Sequence, residues 1–120
     1  KEPMVTLTAT KSIEPYPNYT VNAEAKIEIY NDNTWVMYIK TDADPTNLDY
    51  QKAASGTYTN TQTEMTLTRT ELTVQGSEMA ETINVAVNPS GYPAIAYSAT
   101  VTYTNVMAFE FSFTGTMNMQ

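Results

Sequence analysis

The chain has 120 residues and no cysteine, so neither a disulfide nor a thiolate metal site is available, and packing and hydrogen bonds alone must hold it together. Histidine is absent too, which removes the commonest general base, the commonest metal ligand and the usual pH switch near neutrality. Arginine occurs once, as Arg69, and the five lysines, Lys1, Lys11, Lys26, Lys40 and Lys52, are dispersed. The net charge is −7, so nothing here would attract nucleic acid or anionic lipid headgroups. No apolar run is long enough for a membrane helix, so a membrane-spanning helical chain is not expected. No segment keeps the helical period long enough to predict a helix.

What the chain does have is alternation, clearest from Ala94 to Met117. Ile95, Tyr97, Ala99, Val101 and Tyr103, then Met107, Phe109, Phe111, Phe113 and Met117, fall on every second position, with small or polar residues between them. This is the period of strands with one dry face and one wet face. The stretch is too long for one strand and predicts a reversal near Thr104, Asn105 and Val106. A three-residue loop pairing Tyr103 with Met107 keeps both apolar sets on one face, whereas a two-residue loop would not.

The rest of the chain repeats the pattern. Met4 to Thr10 predicts a short strand, and Lys11 to Tyr19, with Pro15 and Pro17 and no period, predicts a loop. Val21 to Ile29 predicts a half-buried strand. Asn31-Asp32-Asn33 then predicts a turn with a left-handed residue at its last position, which places Trp35, Met37 and Ile39 beside Ile27 and Ile29. Asp42 to Lys52 reads as a second loop. Ala53 to Thr59 and Glu64 to Arg69 read as a hairpin about a four-residue loop, Asn60 to Thr63, with Tyr58 opposite Met65 and Gly56 opposite Leu67. Leu72 and Val74 break that phase, predicting a bulge near Thr70-Glu71. Gln75 to Glu81 reads as a turn region, Ile83 to Val87 as a strand, and Asn88-Pro89-Ser90-Gly91 as another turn.

An antiparallel meander of about eight strands, forming a single domain over residues 1–120, is therefore expected to close into a small barrel. An open sandwich is the alternative. The segments KIEIYNDNTWVMYIKTD and ASGTYTNTQTEMTLTRTEL, between Lys26 and Leu72, resemble the middle of small bacterial lipocalin-like (calycin) domains. In those domains an Asn/Asp-rich hairpin precedes an aromatic-bearing strand, and a Gly-Thr-Tyr-Thr strand leads into a Leu-Thr-Leu-Thr strand. The resemblance covers under half the chain and implies a lipocalin-like barrel. Met4 to Thr10 departs from it, having neither the glycine nor the tryptophan with which such domains usually open. The chain begins Lys1-Glu2-Pro3 without Met, so an exported product trimmed of a signal peptide, at the periplasm or cell surface, is expected.

Candidate chemistry is sparse. Arg69 continues the inward register of Met65 and Leu67, where a guanidinium would pair with a ligand carboxylate; alternatively it lies at the rim and reaches for water. Trp35, Tyr58, Tyr97, Tyr103 and Phe111, with Phe109 and Phe113, either line an apolar pocket or fill the core. Asp42, Asp44, Thr46 and Asp49 gather oxygen atoms in one loop, but Asn47 and Ala53 stand where an EF-hand needs Gly and Glu. Glu24 and Glu28 share a strand face about 13 Å apart, beyond the spacing of paired glycosidase carboxylates. No metal, cofactor or catalytic residue is implied. The expected function is a non-enzymatic binding module for a small apolar or amphipathic ligand. The alternative is a structural or protein-interaction domain of a cell-surface assembly, working through its Thr-rich outer faces.

Overall fold

The structure, a computed structural model, describes residues 2–43, 46, 48–88 and 94–118. Nine strands form one antiparallel sheet: β1 (Val5–Tyr16), β2 (Tyr19–Ile29), β3 (Thr34–Thr41), β4 (Gln51–Asn60), β5 (Glu64–Leu72), β6 (Glu78–Met79), β7 (Thr82–Asn88), β8 (Ala94–Asn105) and β9 (Met107–Asn118). Their order is β6-β8-β7-β5-β4-β3-β2-β1-β9, and the additional β8–β9 pairing closes eight of them into a barrel, with the two-residue β6 as an extra strand beside β8. The expected meander is thus the fold, closed rather than open. Its core is the set of alternating inward residues, with Leu7, Ile27, Trp35, Met37, Leu67 and Phe111 fully buried. Among the described residues no helix is long and apolar enough to cross a membrane.

Where the apolar pattern governs, register follows. Asn33 takes φ 69° at the end of the β2–β3 turn, and Trp35 pairs with Ile29. The expected bulge also forms: Gly56 pairs with Arg69 and Ser55 with Glu71, leaving Thr70 as the extra residue. Two hairpins differ from expectation by a slide of two residues, which keeps every side chain on its predicted face. In β4–β5, Tyr58 pairs with Leu67 rather than Met65, because Thr61 N–H donates to the Glu64 carbonyl and only Gln62 and Thr63 remain in the loop. In β8–β9, Tyr103 pairs with Phe109 rather than Met107, leaving Val106 alone at the apex.

The first hairpin corrects the sequence reading outright. Lys11 to Tyr19 is not a loop, because β1 continues to Tyr16 and β2 begins at Tyr19. Pro17 and Asn18, the latter at φ 65°, form the turn. Most of this stretch is exposed, so it has no dry face and hence no apolar alternation to read. Pro15 falls where the β1–β2 register shifts, at an irregularity that tolerates a residue without a ladder N–H. The result is an arm tipped by Tyr16 and Tyr19, whose rings stack 5.3 Å apart.

The sheet closes where β1 lies against β9. Among the described residues these strands share one paired position, Thr8 with Thr114. Next to it, Gly115 lets the two backbones approach: a Cβ there would lie 2.5 Å from the Thr6 carbonyl oxygen and 2.7 Å from Leu7 Cδ2.

Candidate functional site

The end of the barrel that carries the β2–β3 and β4–β5 turns is sealed by aromatic side chains. Trp35 is fully buried, and its indole N–H donates to the carbonyls of Thr57 (3.0 Å) and Thr68 (3.3 Å). Gly56 lies opposite Trp35 across the ladder, and a Cβ at that position would collide with the same Thr68 oxygen. The missing side chain therefore leaves room for the Thr68 carbonyl that accepts from the indole. Tyr58 is buried and its hydroxyl donates to the Tyr30 carbonyl, while the Tyr30 hydroxyl donates to Glu28 (2.8 Å). Burial, and then the Glu28 hydrogen bond and charge, push the Tyr30 phenol up to about 12. Burial raises Tyr58 and Tyr97 as well, helped at Tyr58 by the Asp32 charge and at Tyr97 by Tyr58.

The opposite end carries the 42–50 loop, the turn after β5 and the β8–β9 reversal, and it is open. A cleft of 410 Å³ lies there, within the span of about 300–1,000 Å³ usual for small-molecule sites. Its apolar walls are Ile39, Ala43, Val74, Tyr103, Met107 and Phe109. Lys40, Thr41, Asp49, Gln51 and Asn105 supply polar groups. Phe109 continues into a column of rings, its centroid 5.9 Å from Phe111 and that of Phe111 5.7 Å from Phe113, so the cleft floor merges with the core.

Two departures from ordinary packing mark this end. Tyr103 is 2% exposed and its hydroxyl has no hydrogen-bond partner among the described residues. An unpaired buried hydroxyl costs about 1–3 kcal/mol, and folded proteins rarely leave one. Val106, at the lip, has φ 67° and is 96% exposed. A β-branched residue in the left-handed region is strained by roughly 1–2 kcal/mol. Asn105, which tolerates that conformation, stands one position away.

Of the residues expected to contact a ligand, Tyr103 and Phe109 line this cleft. Trp35, Tyr58, Tyr97 and Phe111 are packed into the core or the sealed end. Arg69 is half-buried and still in the inward register, paired with Gly56, but its guanidinium is engaged by main chain: it lies within 3.4 Å of the Ala80 and Met79 carbonyl oxygens, while its backbone N–H donates to the Glu81 carbonyl. Asp42 is taken by Asn22, whose backbone and side-chain N–H groups each donate to its carboxylate at 2.8 Å and hold it below the usual carboxylate range. Asp44 and Asn47 lie outside the described residues, as does the Pro89-Ser90-Gly91 part of the predicted turn.

On the outer face of β2 and β3, Tyr50 lies 4.6 Å from Lys26 Nζ and 4.7 Å from Lys40 Nζ. Lys40 also pairs with Glu24 (3.6 Å), and Lys26 with Glu28 (3.5 Å). Both glutamates considered as a carboxylate pair are thus each matched to a lysine. Alternation predicted the outward lysines and glutamates, but nothing in it marked Tyr50, which reaches this face from a loop. Comparison of the chain with protein-family models, with curated proteins and with solved structures finds no match in any of the three.

Proposed function

We propose that this chain is a non-enzymatic, exported binding module that takes a small apolar or amphipathic ligand into the open end of its barrel. The observation that carries the reading is the 410 Å³ cleft, walled by apolar side chains and supplied with few polar groups. Arg69, bound to main-chain carbonyls, has no part in it. The test is saturable binding of the neutral fluorophore N-phenyl-1-naphthylamine, with Val74→Trp as the blocking variant. Val74 lies in the turn after β5, where an indole would fill the cleft without entering the core. Saturable binding that Val74→Trp abolishes supports the reading. Absence of saturable binding, or binding unaffected by the block, overturns it.

A second reading, a protein-interaction domain of a cell-surface assembly, draws support from the β1–β2 arm. Tyr16 is 63% exposed and Tyr19 39%, together making an aromatic tip at the end of a ribbon. If Tyr16→Ser with Tyr19→Ser abolishes recovery of a protein partner while fluorophore binding to the wild type is absent, the second reading replaces the first.

A further inference from the structure

We propose that the open-end cleft selects neutral amphiphiles carrying a hydrogen-bond acceptor over carboxylates, and that the Tyr103 hydroxyl is the donor that reads the polar end of the ligand. The inference rests on the reading of the cleft as a ligand site and adds the chemical class of what it holds. Tyr103 belongs to the wall of the cleft, yet its hydroxyl is shielded from solvent and has no partner among the described residues. A phenol can donate one hydrogen bond and accept others, and a small turn of the ring that brings the hydroxyl to the cleft surface would let a ligand carbonyl supply the missing acceptor. Part of the cost of the unpaired hydroxyl would then be recovered only in the bound state.

Charge decides the rest. Among the described residues the carboxylate that lines the cleft is Asp49, which repels an anionic headgroup at close range. Lys40 lines the cleft as well, but its ammonium is engaged by the Glu24 carboxylate and the Tyr50 ring. A carboxylate entering the cleft would have to draw Lys40 off both partners. The chain as a whole, at −7, adds repulsion at longer range. A ketone, ester or amide meets none of these costs.

The experiment displaces N-phenyl-1-naphthylamine at neutral pH with 2-octanone and with octanoate, which share a chain length, using the wild type, Tyr103→Phe and Asp49→Asn. Tighter binding of the ketone than of octanoate by the wild type is expected. Tyr103→Phe should weaken the ketone roughly three- to tenfold relative to that variant's own affinity for the fluorophore, the worth of one hydrogen bond. Asp49→Asn should improve octanoate selectively. Equal affinities for the two ligands, or a ketone affinity unchanged in Tyr103→Phe, overturns the assignment while the cleft survives as a site. Failure of the fluorophore to bind removes the site, and the assignment with it. Tyr103→Phe deletes an unpaired hydroxyl, so the variant keeps its fold and the comparison stays readable.

Discussion

The two ends of the barrel treat the same kind of side chain in opposite ways. At the sealed end the polar tips of Trp35 and Tyr58 both reach backbone carbonyls, and Gly56 leaves room for one of those carbonyls, that of Thr68. At the open end Tyr103 is as deeply buried and its hydroxyl goes unanswered, beside a Val106 held at φ 67°. The sealed end has the features of a region built for stability. The open end tolerates an unpaired hydroxyl and a strained apex, costs that persist where surrounding structure supports them and where function gathers.

The largest test of that contrast removes the plug. Trp35→Ala should cost about 3–5 kcal/mol in chemical denaturation, against about 1 kcal/mol for Thr34→Ala, whose hydroxyl donates to Asp32 at the half-buried surface. Similar midpoints for the two, or a wild-type Trp35 emission typical of water-exposed indole, would erase the difference between the ends.

A matched pair of deletions sharpens it. Tyr58→Phe removes the hydrogen bond to the Tyr30 carbonyl and should lose about 1–1.5 kcal/mol, whereas Tyr103→Phe removes an unpaired group and should be neutral or gain about 1 kcal/mol. Losses of equal size would mean that the Tyr103 hydroxyl has a partner after all. At the lip, Val106→Asn should stabilise by up to about 1 kcal/mol, since Asn adopts the left-handed conformation more readily. Destabilisation there would show that Val106 contributes packing that outweighs its strain.

The smallest effect is one of pH. Tyr30 holds its proton more tightly folded than unfolded, up to about 12, so its contribution is complete below the ordinary phenol value near 10 and is lost as pH rises through about 12. Stability should therefore fall across that alkaline window, and Tyr30→Phe should flatten the fall. A slope that Tyr30→Phe leaves unchanged would assign the alkaline loss to other phenols.

Faces were more legible than registers. The alternation of Val101, Tyr103, Phe109 and Phe111 settles which side of the sheet is dry, but a slide of two residues preserves that side, so both the β4–β5 and β8–β9 pairings moved without exposing a core residue. The β1–β2 arm was illegible because it has no core to face. The cleft was illegible for a different reason: Ile39, Val74, Tyr103 and Phe109 come from separate elements, and the turn and loop residues among its lining, such as Val74 and Asp49, follow no period. Arg69 misled because alternation gives the register of a residue, here opposite Gly56, and not where a long side chain ends, which is at the Met79 and Ala80 carbonyls.

The seam between β1 and β9 also bears on how the chain reaches this state. Most strand pairs join segments adjacent along the chain, so their hairpins can form from local contacts, but Thr8 meets Thr114 only after nearly the whole polypeptide has been brought round. The entropy of closing so long a loop is spent before the seam returns anything, which makes circularisation of the sheet a late and slow step in folding. Gly115 sits at that step, and a side chain there would leave the hairpins able to form while the curled sheet stays unjoined, its free edges open to pairing with other molecules.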